Sequence, residues 1–199
     1  MITGFVLAGG RSSRMGREKA SLLIDGRPMI EHVIGRLRPC VSRLCVIAPP
    51  RHLDAFNNLE VDAILTDLAP SRGPLMGVYT GLMHTATTLN VFAACDMPGI
   101  EPELINRLLA AWQPGREAIA GIGPDGHPYP LPMLCHVSAR RTVGALLDAQ
   151  SDALHELLSL PTGRAVELPE ADSRRWFVNV NTLDDYATLC DEISLPFRR

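Results

Sequence analysis

Between Gly4 and Lys19 the chain reads GFVLAGGRSSRMGREK, and these residue types suit the holding of polyphosphate. Phe5, Val6, Leu7 and Ala8 make an apolar run long enough for one buried strand. Gly9 and Gly10 end it, and Arg11, Arg14, Arg17 and Lys19 follow, with Ser12 and Ser13 among them. Glycines carry no Cβ, so backbone N–H groups can approach phosphate oxygens closely. The cations neutralise charge, and arginine grips phosphate with two parallel bonds. The plain alternative is a βα turn with a solvated basic face, but ordinary βα loops are short and rarely so cationic. The stretch is not a GxxxxGK[ST] loop, because Gly16 is followed by Arg17. A literal GxGxxG at Gly121, Gly123 and Gly126 contains Pro124 and runs into His127, Pro128, Tyr129 and Pro130, which cannot open a helix. It reads as a turn.

Three further groups carry candidate chemistry. Ala93, Ala94 and Cys95 lead into Asp96, Met97 and Pro98, so a carboxylate stands where an apolar strand ends. Hard oxygen ligands suit Mg²⁺, which sits on one or two carboxylates plus phosphate oxygens. The alternative is a cap or Asx turn before a helix near Glu101. Asp67 ends another short apolar run, and Gly73, Pro74, Leu75, Met76 and Gly77 follow. Gly73 permits close approach to the backbone and Pro74 suits a first helical turn, which a proline-capped βα loop would also explain. In Phe177-Val178-Asn179-Val180-Asn181-Thr182 the alternation predicts a strand with Asn179 and Asn181 on one face, and Thr182 as the cap of a following helix. A capping turn alone is the alternative.

The elements that must position these residues are short apolar runs alternating with helical patterns. Strands are expected over residues 4–8, 44–48, 63–66, 91–94, 118–122 and 131–136. Helices are expected over 29–37, 74–85, 101–112, 138–147, 153–158 and 182–193. In the first helix Met29, Ile30, Val33, Ile34 and Leu37 share one face, with Pro28 in the first turn and Pro39 ending it. Asp25-Gly26 marks a tight turn. The strand–helix alternation implies an α/β fold with a mostly parallel, Rossmann-like sheet covered on both faces. Ligands of such sheets bind beyond the carboxyl ends of the strands, where the glycine-basic stretch emerges. Pro130 and Pro132 assign the 131–136 strand to an edge.

Bulk properties narrow the function classes. A chain of 199 residues suits one domain, 1–199, and 46% hydrophobic content rules out a disordered chain. The net charge of −3 argues against a nucleic-acid binder, so the basic cluster is local and fits a small anion. Cys40, Cys45, Cys95, Cys135 and Cys190 form no CxxC pair and no zinc spacing with the histidines. Cys45, Cys95 and Cys135 are expected to be buried thiols, as in a reducing cytoplasm. No stretch reaches the roughly 18 apolar residues of a membrane helix, and because the sequence opens on a strand-like run no signal peptide is expected before the fold.

Leu7, Ala8, Gly9, Gly10, Arg14, Met15, Gly16 and Lys19 together spell LAGGxxxRMGxxK. This resembles the signature loop of the nucleotidyltransferases, most closely the molybdenum cofactor guanylyltransferases. The resemblance continues in order through GPLxG, CDxP and NxNT and so covers nearly the whole chain. It implies a three-layer α/β/α nucleotidyltransferase fold and transfer of GMP from GTP to molybdopterin or the molybdenum cofactor, with Mg²⁺ as cofactor and release of pyrophosphate. By the same resemblance Lys19, Arg14 and Asp96 are catalytic, and Asp96 is the metal ligand. Leu7, Ala8, Gly9, Gly10, Arg14, Lys19, Asp67, Gly73, Pro74, Leu75, Gly77 and Asp96 hold the nucleotide. Asn179, Asn181 and His127 border the pterin. Transient contacts with proteins that deliver or accept the cofactor are also implied. Two departures stand out: Leu183 replaces the usual proline after the threonine, and Pro49-Pro50-Arg51 stands where relatives often carry a nucleotide-binding asparagine. A cytidylyltransferase for the same pterin is the nearest alternative, although such enzymes resemble LAAG where this chain has Gly9. A sugar-phosphate nucleotidyltransferase and a non-catalytic nucleotide-binding regulator are the others. Retention of both Lys19 and Asp96 argues against the regulator.

Overall fold

The computed structural model of the chain describes residues 1–9, 19–69, 72–168, 176–180, 182 and 185–187. Its strands are β1 Ile2–Leu7, β2 Leu23–Ile24, β3 Arg27–Pro28, β4 Arg43–Ala48, β5 Ala63–Thr66, β6 Leu89–Ala94, β7 Ala118–Ile122, β8 Pro128–His136 and β9 Gly163–Glu167. The α-helices are α1 Met29–Leu37, α2 Gly73–His84, α3 Pro102–Ala110, α4 Ala139–Asp148 and α5 Leu154–Ser159. Seven strands form one sheet in the order β5-β4-β1-β6-β8-β7-β9, and β2 and β3 form a separate hairpin. Every strand of the large sheet runs parallel except β8, which is antiparallel to both β6 and β7.

The layers follow from period-two alternation along the strands. In β1, Val6 joins a core with Val33 and Ile34 of α1 and Leu104 and Leu108 of α3, while Phe5 and Leu7 join Leu75 and Val78 of α2 and Val143 of α4. The sheet is therefore covered on both faces, in three layers. Helix α1 buries the five residues of its expected apolar face. The hairpin turns at Asp25 (φ 48°) and Gly26 (φ 73°), the two left-handed residues of a type I′ turn. No helix among the described residues is long and apolar enough to cross a membrane.

Several expectations are corrected. Strand β8 is internal, not an edge: Met133 to His136 pair with β6 on one side, and β8 pairs with β7 on the other. The prolines are accommodated because β6 pairing stops at Met133 and the β7 register shifts between Ala120 and Gly121, so no ladder bond is asked of Pro130 or Pro132. Strand β9 is an addition. Its five residues contain two hydrophobic side chains, Ala165 and Val166, too few for an apolar run. Residues 178–180 form no strand. Cys45 and Cys135 are buried and burial raises both thiols, but Cys95, just past the end of β6, is only half-buried. The expected 182–193 helix falls mostly outside the described residues. Within them Thr182 N–H donates to Asp185 Oδ2 at 2.8 Å and Asp185 N–H to Thr182 Oγ1 at 3.0 Å, a reciprocal cap ahead of the helical residues 185–187.

Candidate active site

Four neighbouring strands, β5, β4, β1 and β6, end at one level. Ala8 N–H donates to Ile47 O at 2.8 Å, Cys95 N–H to Leu7 O at 3.1 Å, and Asp67 N–H to Ala48 O at 2.9 Å. Gly9, Asp67 and Asp96 thus leave the carboxyl edge of the sheet together, where open α/β sheets bind ligands. Leu7 and Ala8 are buried and Gly9 is exposed. Asp67 Oδ1 accepts from Ala69 N–H at 3.2 Å and from the buried Thr80 hydroxyl at 3.4 Å. Its other oxygen would lie 3.8 Å from a Cβ added at Gly9, as would Pro49 Cδ. Among the described residues these contacts are ordinary, and none of them demands glycine at position 9. Gly10 and Arg14 lie outside the described residues. Lys19 enters only by its backbone, which begins the short 3₁₀ turn Lys19–Ser21.

Pro74 sits in the first turn of α2 as expected, and Gly73 has φ +69°. A Cβ at Gly73 would come within 2.8 Å of Asp152 O, so this glycine is required by the approach of another backbone segment. Leu75 is fully buried, and Gly77 lets α2 settle onto Leu7, where an added Cβ would stand 3.0 Å from Cδ2. These two members of the GPLMG segment face the core, while Gly73 and Pro74 face a cavity.

That cavity, of about 700 Å³, is lined by Gly73, Pro74, Asp96, Tyr129, Asn179 and the segment 150–156, among others. Val180 N–H donates to Asp96 O at 3.0 Å and brings Asn179 beside the Asp96 turn. The Phe177 ring packs on Tyr129 with centroids 4.6 Å apart. The Tyr129 hydroxyl donates to Asp125 Oδ2 at 3.1 Å, and Asp125 Oδ1 accepts from His127 N–H at 3.1 Å. The bond from His127 is the main cause that lowers the Asp125 carboxyl, while burial, then Asp125, raises the Tyr129 phenol. His127 is exposed in the β7–β8 turn and does not line the cavity; Tyr129, two residues on, does. Gly123 N–H donates to His127 O at 2.9 Å, so the GxGxxG stretch is the turn of this hairpin. Asn181 lies outside the described residues.

Asp96 does not cap α3, whose N-cap position is Glu101, with no side-chain cap bond there. Among the described residues no three His, Cys, Asp or Glu side chains group as a metal site. Asp96, which lines the cavity with Asp152 and Glu156, fits a cation that takes its other ligands from phosphate and water, as Mg²⁺ does. Sequence reasoning missed the 150–156 wall. Gln150-Ser151-Asp152 is legible as polar punctuation between two helices, and nothing in its residue types points to a cavity.

A mostly parallel sheet whose first strand delivers a glycine at its carboxyl edge, with carboxylates from two other strand ends beside it, has the layout of a ligand-binding α/β protein, and comparison with known proteins places it in the nucleotidyltransferase class. The chain belongs to the MobA-like NTP transferase domain family, whose model it matches over residues 4–165. A molybdenum cofactor guanylyltransferase of Serratia proteamaculans is 35% identical over 187 residues, covering 92% of this chain and 91% of that protein. The Yersinia pestis protein of the same name is 33% identical over 186 residues, covering 92% of each. Among solved structures, molybdopterin-guanine dinucleotide biosynthesis protein A of Archaeoglobus fulgidus superposes with a TM-score of 0.79 at 23% identity, over 96% of this chain and 98% of that one.

Proposed function

We propose that the chain transfers GMP from GTP to the phosphate of molybdopterin and releases pyrophosphate. The observation that carries the reading is the position of Asp96 between two half-sites. On one side lie Gly9 and Asp67, at the β5-β4-β1 half of the sheet. On the other lies the cavity with Asn179 and Tyr129, toward β8. Guanylyl transfer needs two substrates to meet at one phosphorus, and the carboxylate stands at that boundary. Family membership and the two curated relatives support the choice of substrates.

The reaction is an in-line attack by the acceptor phosphate on the α-phosphorus of GTP, which asks for positioning and charge neutralisation more than for an enzyme nucleophile. In this reading Gly9 and Gly10 offer backbone donors to the phosphates. Arg14 and Lys19 hold the triphosphate and balance the charge that builds on the departing pyrophosphate. Asp67, oriented by Thr80, borders the nucleoside side. Asp96 would hold the divalent cation, Mg²⁺ by its oxygen donor, which supplies charge neutralisation at the α-phosphate. Asn179 and Asn181 meet polar atoms of the pterin or its phosphate. The reading includes a single domain over 1–199 and action in the cytoplasm.

The test is pyrophosphate release from GTP with Mg²⁺ and molybdopterin, against CTP and against sugar phosphates as acceptors. Release that requires both GTP and molybdopterin bears the reading out. Release with a sugar phosphate, or none with either nucleotide, overturns it.

A further inference from the structure

The 150–156 wall of the cavity is met by a residue that no part of the reading above uses. Arg72 immediately precedes α2. Its Nη2 donates to Leu147 O at 2.7 Å and lies 3.4 Å from Asp152 Oδ1. Leu147 O also accepts from Gln150 N–H at 3.1 Å, and Ser151 N–H donates to Leu146 O at 2.9 Å. With Gln150 at φ 65°, these bonds make a Schellman end to α4, with a non-glycine residue in the left-handed position. Arg72 thus adds a cation to a helix C-terminus, where charge and dipole agree. One guanidinium joins the end of α4 to the first acidic residue of the segment beyond it. The same junction has Asp152 O against the Cα of Gly73, so the two backbones touch where the side chains bridge.

From that junction onward, Gln150 to Glu156 line the cavity without a break. An exposed ion pair alone contributes little. This one is joined to a helix-end carbonyl and to a backbone contact that only glycine permits. We infer, resting on the proposed transfer to molybdopterin, that Arg72 is a positioning residue for the acceptor half of the site. It holds the 150–156 wall at a fixed distance from the N-terminus of α2. The acceptor assignment rests on Asn179, which lines this cavity; of the residues given to the nucleotide, Gly9 and Asp67 are absent from the lining while Gly73, Pro74 and Asp96 belong to it.

The test compares wild type with Arg72→Ala and Arg72→Lys. Arg72→Ala is expected to raise the KM for molybdopterin roughly tenfold, since small misplacements are costly in a two-substrate site. The GTP-induced thermal shift should stay at the wild-type value. Arg72→Lys keeps one donor direction of the fork and should fall between the two. A merely structural role would lower kcat through a smaller active fraction and leave KM unchanged, and that result overturns the inference. So does a parallel loss of GTP affinity. Amide exchange over residues 150–156, read without substrate, should quicken in Arg72→Ala; unchanged exchange also overturns it. If wild type turns over and Arg72→Ala matches its KM, the positioning role falls and the proposed reaction stands. If wild type releases no pyrophosphate, the reaction falls and the acceptor assignment falls with it, while the exchange measurement still judges the contact. Should Arg72→Ala fail to fold, Asp152→Asn, which keeps an acceptor oxygen but removes the charge, answers the same questions.

Discussion

Asp96→Asn is the substitution that separates ligand binding from turn formation at the carboxylate between the two half-sites. Asparagine keeps the size and one carbonyl oxygen, and it serves turns and caps about as well as aspartate. The main-chain carbonyl of Asp96 accepts from Val180 N–H, and that contact survives the change. What is lost is the negative charge that a hard cation asks of its ligand. Charge stabilisation of several kcal/mol makes the expected fall in pyrophosphate release about a hundredfold or more. The circular dichroism spectrum should be unchanged. Wild-type rate and Mg²⁺ dependence in the Asn variant would return Asp96 to a turn residue and move attention to Asp67. At this scale the glycine and the carboxylates were legible as strand-end residues, because each follows an apolar run. Tyr129 and the 150–156 wall were not legible, because their place in the cavity comes from β8 lying beside β6 and from the end of α4. Those are long-range facts with no local residue pattern.

Helix α2 meets Asp67 through the Thr80 hydroxyl, and its glycines seat it on the sheet. Gly77 and Gly81 lie four residues apart on the face that meets the sheet, Gly77 against Leu7 and Gly81 against Phe92 and Phe5. A Cβ at Gly81 would come within 2.5 Å of the Phe92 ring, which is fully buried and stacked on Phe5 with centroids 5.0 Å apart. Neither ring has room to withdraw, so Gly81→Ala must lift the helix or strain the stack. Overpacking of this kind costs about 1–3 kcal/mol, or a fall in Tm of roughly 2–12 °C for a chain of this size. A calorimetric scan checks it. An unchanged Tm would mean that α2 is not seated by that contact, and a raised one that the site held a void. The same packing explains which elements could be read in advance. Helix α1 is one-sided, and its apolar face was legible residue by residue. Helix α2 is buried along most of its length, so its pattern said helix without saying which side meets the sheet. Strand β9 is half-exposed and carries an arginine, so no apolar run announced it.

Across the whole molecule, the two half-sites are tied together by segments distant in sequence. Val180 packs with Ile24 and Met29, beside the hairpin that follows Lys19, and the Tyr186 hydroxyl donates to Leu23 O in that hairpin. The segment around Asn179 therefore touches both the Asp96 turn and the element next to the basic loop. A nucleotide that binds this folded arrangement and not the unfolded chain must stabilise the whole. At a hundred times its dissociation constant it adds about 2.7 kcal/mol, which for a chain of this size is a rise in Tm of roughly 5–11 °C. GTP and CTP compared at equal concentration, with Mg²⁺ in excess, then report base preference without any acceptor. The larger shift is expected with GTP. The warrant is the two guanylyltransferase relatives together with Gly9, where the resemblance has LAGG and not the LAAG of the cytidylyltransferases. Gly9→Ala sharpens the test, because among the described residues its Cβ would meet only ordinary contacts at 3.8 Å. The variant should keep the wild-type Tm in the absence of nucleotide while its GTP shift shrinks relative to its CTP shift. A larger wild-type shift with CTP would overturn the guanine assignment and leave nucleotidyl transfer standing. Equal shifts in the variant and wild type would show that the base is chosen elsewhere along the β5-β4-β1 half of the sheet.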